Sequence, residues 1–214
     1  MENKKNTILL TVIAVATLLV AVVGATFAYF TAQGGTGSEA KVTVSTGTAG
    51  SSSLGTFSAI NIYADATNFA SGAGDRTGTS TGTVAWTAPG ASGTETPSEA
   101  DRSFCYTASL AVTKNDFVYS STNTTTAAEL TLTAKKNDTV VLDGKDITLG
   151  TASVNIPTVK DGDTMTHKLV AEAGATVSDK WELTVTLVNL GVDQNDNTGK
   201  QFSGAVKFDK TNCQ

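Results

Sequence analysis

A regular alternation of apolar and polar residues near the end of the chain is the feature that most limits its fold. The side chains of a β-strand alternate between its two faces with a period of two, so such a segment buries one face and exposes the other. Residues 181–188 place their apolar side chains on one face: Trp181, Leu183, Val185 and Leu187. We therefore predict a half-buried strand here.

Short runs of the same kind recur through the chain. Roughly nine or ten strand-forming runs follow one another about ten residues apart, and turn-forming sequences such as 143–146 and 161–163 separate them. Only 16% of the residues are charged, against about 25% in an average soluble protein, which argues against exposed helices with many Glu–Lys pairs. No strand–helix alternation is visible. This pattern predicts an all-β fold, an antiparallel β-sandwich of two sheets.

The first 28 residues have the organisation of a signal peptide. Lys4 and Lys5 precede an apolar stretch from residue 8 to residue 25, expected to be a hydrophobic helix. Thr26 and Ala28 supply small residues at positions −3 and −1 of a cleavage site before Tyr29. The chain is therefore expected to be exported to the cell surface or the medium, with a signal peptidase as a transient partner. The alternative is an uncleaved anchor, so that membrane contact is made only through this segment.

Two further regions follow the signal. Residues 29–56 are rich in Gly, Ser and Thr and are predicted to be a flexible arm containing one short strand. Residues 57–214 are predicted to form the sandwich, with long loops at 70–102 in which only residues 82–87 have the pattern of a strand.

The end of the signal carries a family resemblance. The sequence GATFAYFT, from residue 24 to residue 31, resembles the signal tail of the TasA and camelysin group of Gram-positive biofilm matrix proteins. The correspondence runs through Gly24, Thr26, Ala28 and Phe30, while Ala25 replaces a glycine. A second segment, residues 159–166, resembles a turn of the same family but lies later in the chain than expected.

The resemblance implies processing by a SipW-type signal peptidase, a jelly-roll β-sandwich and assembly into extracellular fibres. It covers about the first 35 residues, and an export signal can be shared by unrelated proteins.

The composition provides little material for catalysis or for nucleic-acid binding. The net charge is −5, and no cluster of Lys and Arg is larger than a pair, so a nucleic-acid partner is not expected. One histidine and two cysteines, with no G-x-S-x-G elbow and no phosphate-binding lysine motif, predict a protein that is not an enzyme and has no cofactor. His167 is expected to point to the same side as Met165 and Leu169 and to be either packed or half-exposed.

Cys105 and Cys213 are an even pair in a chain expected to be exported, where a disulfide is stable. A bond between them would fasten the last strand to a central one. The alternative is two free or intermolecular thiols.

One segment partly matches a calcium loop. Asp193, Asn195 and Asn197 place oxygen-bearing side chains at alternating positions. Thr198 stands where such a loop has glycine, and Gly204 where it has a carboxylate, so a wide turn between two strands is the preferred interpretation and no metal is expected.

The arm contains a candidate for strand donation. Its alternating residues are Lys41, Val42, Thr43 and Val44. An arm strand of this kind can pair with an unpaired sheet edge of a neighbouring copy and so link subunits into a fibre. The same strand could instead pair with its own sheet. The alternative function is a surface adhesin that recognises a glycan or a protein through the 70–102 loops.

Overall fold

The computed structural model describes residues 50–70, 72–92, 95–150 and 152–213. The signal segment with Thr26, Ala28 and Tyr29 and the donor candidate Lys41–Val44 lie outside the described residues.

The described residues form an almost entirely β architecture of ten strands and two short 3₁₀ helices. One five-stranded antiparallel sheet has the order β1-β3-β9-β5-β6. The other has the order β2-β10-β4, with β7 and β8 both paired to the same side of β4. The strands are β1 Ser51–Leu54, β2 Ile60–Tyr63, β3 Arg76–Thr87, β4 Ser103–Asn115, β5 Leu130–Lys136, β6 Thr139–Asp146, β7 Val154–Ile156, β8 Thr166–Val170, β9 Thr176–Leu187 and β10 Gln201–Thr211, and the 3₁₀ helices are Ala66–Phe69 and Asn195–Asn197.

The core lies where the inner faces of the two sheets meet, as in a β-sandwich. The predicted alternation of β9 is confirmed, because its apolar side chains are all buried: Trp181, Leu183, Val185 and Leu187. β4 in the opposite sheet contributes Phe104, Tyr106, Ala108 and Leu110 to the same core. The all-β prediction therefore holds for the described part of the chain.

β3 corrects the prediction of long loops at 70–102. It begins at Arg76, six residues before the predicted strand, and pairs with β9 over all twelve of its residues. The sequence interpretation placed residues 76–81 in a loop because glycine-rich segments lie on both sides of the predicted strand. A β-carbon on Gly82 would overlap the Phe57 ring, and one on Gly78 would lie 3.0 Å from Ile60 Cγ2. These glycines allow close packing and do not mark a flexible loop.

β1 corrects the boundary between the arm and the sandwich. Ser51–Leu54 lies in the region predicted as flexible, yet pairs antiparallel with the end of β3, with Ser51 opposite Thr87 and Leu54 opposite Val84. All four side chains of β1 are exposed. Hydrophobic patterning could not find this strand, because main-chain pairing holds it.

A polar group lies inside the aromatic core. The Tyr106 hydroxyl donates to Asp179 Oδ2 at 2.6 Å, and the Trp181 indole N–H donates to the Tyr106 oxygen at 3.0 Å. Asn137 Nδ2 donates to Asp179 Oδ1 at 2.7 Å. His167 stacks on Tyr106 with ring centroids 5.1 Å apart, and its Nε2 donates to the Ile156 carbonyl at 3.2 Å. His167 is fully buried, which is the first of the two environments that the sequence left open.

The two cysteines of the chain are bonded to each other. Cys105 belongs to β4, and Cys213 follows the end of β10, with their Cα atoms 5.2 Å apart. The bond continues the β4–β10 pairing, in which Thr211 is opposite Cys105. It therefore closes the last strand onto a central one, which was the arrangement expected if the cysteines pair.

The double substitution Cys105→Ala with Cys213→Ala is expected to destabilise the fold. The bond closes a loop with a sequence separation of 108 residues, so its loss should lower the free energy of unfolding by roughly 4–5 kcal/mol in the chain-entropy account. Urea denaturation followed by tryptophan fluorescence measures this difference. An unchanged urea midpoint would contradict the stabilising role.

Stability should fall as the pH drops below 6.5. Burial holds the pKa of His167 at about 4, below the usual 6.5, so the unfolded chain takes up the proton first. The resulting loss, complete near pH 4, is about 3 kcal/mol of unfolding free energy. Because the chain has one histidine, His167→Gln should flatten the dependence between pH 6.5 and 4.5 in urea titrations. A slope that survives this substitution would refute the assignment.

Candidate functional site: the sheet edges

The outer edges of the two sheets are the surfaces of this fold that can bind another chain through the backbone. An edge strand presents unpaired N–H and C=O groups, and proteins usually protect them with charges, bulges or short strands. The described edges are β6 and the β3 and β1 side in one sheet, and the β2 side and the β7 and β8 side in the other. The β2 side includes residues 205–211 of β10, which β2 does not pair with and which carry an ion pair between Lys207 and Asp209.

The β6 edge is protected. Its pairing with β5 is interrupted by two register shifts, which twist and break a regular ladder. Asp143 on β6 forms an ion pair with Lys160, 2.6 Å from Oδ2 to Nζ, and Lys145 is exposed nearby. Added strands are disfavoured at a charged and irregular edge of this kind.

The edges of the second sheet are short. β7 has three residues and β8 has five, and they lie end to end along β4. Lys168 on β8 forms an ion pair with Glu99 at 2.8 Å. β2 at the other edge has four residues. None of these strands offers a long uncharged ladder.

The β3 edge is different, because β1 covers only part of it. β1 pairs with residues 84–87, and the Gly55 N–H donates to the Thr83 carbonyl at 2.9 Å. No described strand pairs with residues 77–82 on that side, and we call this segment the open edge. It contains Thr, Gly and Ser and no charged residue.

The orientation of the open edge follows from the Gly55 contact. The Thr83 carbonyl points towards β1, and backbone groups alternate along a strand, so the N–H and C=O groups of Thr77, Thr79 and Thr81 point the same way. The three threonine side chains are exposed on the outer face. The intervening residues bond to β9, whose pairing with β3 has no register shift. The open edge is thus a regular row of backbone donors and acceptors.

The inner side of the open edge is lined by small residues. Gly78, Ser80 and Gly82 face the core, close to Ile60 on β2 and to the Phe57 ring. Ser80 is 1% exposed, and its hydroxyl has no hydrogen-bond partner. The large apolar side chains beside the open edge therefore come from β2 and from Phe57, and not from β3.

A buried carboxylate organises one group of loops. Glu129 is fully buried and accepts hydrogen bonds from the Ser120 N–H at 2.6 Å, Asn123 Nδ2 at 3.0 Å, Gln194 Nε2 at 2.8 Å and Asn197 Nδ2 at 2.7 Å. Burial acts to raise its pKa, but these hydrogen bonds outweigh burial and hold the pKa below its usual value. The carboxylate therefore joins the β4–β5 loop to the β9–β10 loop.

The calcium candidates do not converge on one point. Asn197 is buried, and its side chain bonds to Glu129 and to the backbone of Val118, 3.0 Å from the Val118 N–H to Oδ1. Asp193 Oδ1 accepts from the Asn195 N–H at 3.0 Å. In the described residues no group of three or more His, Cys, Asp or Glu could hold a metal ion. The segment lies in the connection between β9 and β10, as in the preferred interpretation.

A cavity of about 650 Å³ lies beside the disulfide. Its walls include Trp86, Phe104 and Cys213, with the cations Lys168 and Lys210 at its margin. Trp86 is 9% exposed and donates its indole N–H to the Arg102 carbonyl at 2.8 Å. Its ring thus packs in the core and does not present a stacking face to solvent.

Comparison with known proteins finds no match: no family model, no curated protein and no solved structure is similar to this chain. In the portion of the chain that the structure describes, there is no helix long and apolar enough to cross a membrane.

The sequence predictions located the cysteine pair but missed two features. Glu129 stands beside the alternating run of β5, where a charged residue is normally exposed, so its burial gives no local signal. Two of its partners, Gln194 and Asn197, are 65 and 68 residues away in sequence. The open edge was missed because residues 77–81 were assigned to the long loop before the predicted strand 82–87. The repeated threonines at 77, 79 and 81 were the available signal, since β-branched residues favour strands.

Glu129→Gln is expected to destabilise the protein strongly. An amide in this position presents its own N–H groups to buried donors and removes the charge that they stabilise, which should cost about 3 kcal/mol of unfolding free energy. The matched control is Glu182→Gln, which removes an ion pair to Lys135 whose side chains are 41% and 42% exposed and should cost less than about 1 kcal/mol. Equal urea midpoints for the two variants would contradict the role of Glu129.

Proposed function

We propose that this protein is an extracellular structural subunit that assembles into fibres by main-chain pairing between copies. The arm segment Lys41–Val44 of one copy is the donor strand, and a sheet edge of another copy is the acceptor. The observation that carries this proposal is the open edge, a regular and uncharged row of backbone groups with which no described strand pairs, on a chain expected to be exported.

Several features of the sequence support this role. The N-terminal segment has the organisation of a signal peptide, and its tail resembles the TasA and camelysin matrix proteins, whose jelly-roll sandwich we propose as the finer description of the fold. We expect cleavage by a SipW-type peptidase and location at the cell surface or in the medium. The anionic charge and the scarcity of reactive side chains favour a structural role over catalysis or nucleic-acid binding.

The energetics explain why the donor needs apolar residues. A backbone hydrogen bond contributes about 0.5–1.5 kcal/mol net, and ordering each residue costs about 1–2 kcal/mol, so pairing alone is close to balanced. Burying Val42 and Val44 at the margin of the core adds about 1.5–3 kcal/mol for each fully buried side chain. Assembly of this strength depends on protein concentration, as expected for a fibre that forms after export.

The alternative function, an adhesin that binds a glycan or a protein through the 70–102 region, loses much of its proposed binding surface. Residues 76–87 form β3, and the aromatic side chain nearest the remaining loop, Trp86, packs in the core. We therefore prefer the fibre subunit.

Thr79→Pro tests the proposal at the centre of the open edge. Proline removes the Thr79 N–H that points away from β9 and places a ring in the path of an added strand, while the β3–β9 ladder is retained. Fibres seen by negative-stain electron microscopy of the exported protein should be lost. The matched control Thr79→Val keeps the N–H and the shape of the side chain, and should form fibres normally.

Circular dichroism and the urea midpoint establish that both variants fold. If folded Thr79→Pro forms fibres as abundantly as Thr79→Val, pairing at this edge is not how the copies assemble.

A further inference from the structure

The cavity beside the disulfide has the size of a small-molecule site. Its volume of about 650 Å³ lies within the range of about 300–1,000 Å³ that is typical of ligand pockets in proteins. The start of β4, the end of β10 and the turn that precedes β4 line it. None of residues 77–82 lines it, so strand pairing at the open edge makes no use of this cavity.

One wall of the cavity is apolar and rigid. The Trp86 and Phe104 rings stack with their centroids 5.5 Å apart, and their accessible parts line the cavity beside the disulfide. The Trp86 indole is fixed by its hydrogen bond to the Arg102 carbonyl. An aromatic ring fits such a wall, because aromatic edges and sulfur atoms both make favourable contacts with aromatic rings.

The turn that carries the polar wall is held by hydrogen bonds of its own. The Arg102 guanidinium donates to the Pro97 carbonyl at 3.2 Å and to the Ala171 carbonyl at 2.9 Å. The Ser103 hydroxyl donates to the Glu99 carbonyl at 2.7 Å. A site that is formed in advance loses less conformational entropy on binding, so it can hold a small molecule through few contacts.

The charged groups of the cavity leave one cation available. Glu99 and Lys168 form an ion pair, with 2.8 Å between Oε1 and Nζ. Lys210 forms no ion pair with any residue that the structure describes. These three side chains sum to +1, in a chain whose net charge is −5. The cavity is therefore a cationic site on an anionic protein and favours an anionic ligand.

A single available lysine also limits the charge of the ligand. A phosphate monoester carries a charge of about −1.5 to −2 at pH 7, which one ammonium group does not balance. A carboxylate carries one negative charge. The charge of the cavity and its apolar wall together define a ligand with one carboxylate and an aromatic ring.

We propose that this cavity binds a small aromatic carboxylate. The ring lies against the disulfide and the accessible edge of Trp86, and the carboxylate accepts a hydrogen bond from Lys210 Nζ. Neither contact suffices alone, because an ion pair at an exposed lysine contributes little and a ring of this size buries little apolar area. The inference does not depend on the proposed fibre assembly, which involves a different part of the fold.

Three probes of related structure separate the ring from the charge. Benzoate carries both, benzamide keeps the shape of the ring without the charge, and acetate keeps the carboxylate without the ring. NMR titration of the ¹⁵N-labelled mature protein should give a dissociation constant of about 1 mM or lower for benzoate. The constants for benzamide and acetate should be at least fivefold higher. The resonances that move should belong to residues 99–105, 168 and 210–213.

Substitutions at Lys210 test the charged contact. Lys210→Gln should weaken benzoate binding at least fivefold and leave benzamide binding unchanged, because only the carboxylate contacts this residue. Lys210→Arg keeps the charge and should retain benzoate binding. The matched control is Lys145→Gln, which removes an exposed lysine of β6 and changes the net charge equally. It should leave benzoate binding unchanged, since Lys145 does not line this cavity.

The outcomes separate this inference from the fibre proposal. Benzoate binding that is weakened in Lys210→Gln and retained in both Lys210→Arg and Lys145→Gln supports the site. Equal constants for benzoate and benzamide, equal weakening by the two glutamine substitutions, shifts spread over both sheets, or no benzoate binding each overturn it. Lys210 is exposed, so its variants should keep the fold, and their NMR spectra check this. None of these results bears on the fibres, which Thr79→Pro tests.

Discussion

The ladder between β3 and β9 is the interaction on which the rest of the structure depends. It runs through twelve consecutive residue pairs without a register shift, and β5 then pairs with the other side of β9. This central arrangement requires close packing above β3, which Gly78 and Gly82 permit. The same small residues leave residues 77–82 of β3 uncharged, and no described strand pairs with their outward-pointing backbone groups. The twelve-residue ladder without a register shift and the open edge therefore belong to the same strand, β3.

Buried polar groups define the arrangement around that ladder. Glu129 joins two loops that are distant in sequence, and Asp179 receives hydrogen bonds from Tyr106 and Asn137. Burying a carboxylate costs free energy unless its oxygens accept hydrogen bonds. An arrangement of the neighbouring residues that loses these hydrogen bonds is therefore less stable than the observed one. In a chain with 7% aromatic residues, such polar constraints complement a modest apolar core in specifying one structure.

The sequence predicted the strands whose side chains alternate and missed those held in other ways. β9 was found because burial forces its pattern. β1 and residues 77–81 of β3 were missed because their exposed residues, apart from Leu54, are small and polar. β1 depends on backbone pairing with β3, 30–36 residues later in the chain, and β3 depends on pairing with β9, about a hundred residues away, and on close packing with Phe57. The environment of Glu129 likewise exists only after the loops have come together.

The distribution of protection among the edges argues that the open edge has a use. β6 has an ion pair and register shifts, β8 has an ion pair, and β2 and β7 are short. A chain that protects several edges and leaves one regular segment uncharged carries a risk of uncontrolled association. The risk of uncontrolled association is lower if only a strand of one direction and one register can pair with the open edge. The pairing of β1 ends where the Gly55 N–H bonds to the Thr83 carbonyl, so the risk is confined to one segment of six residues.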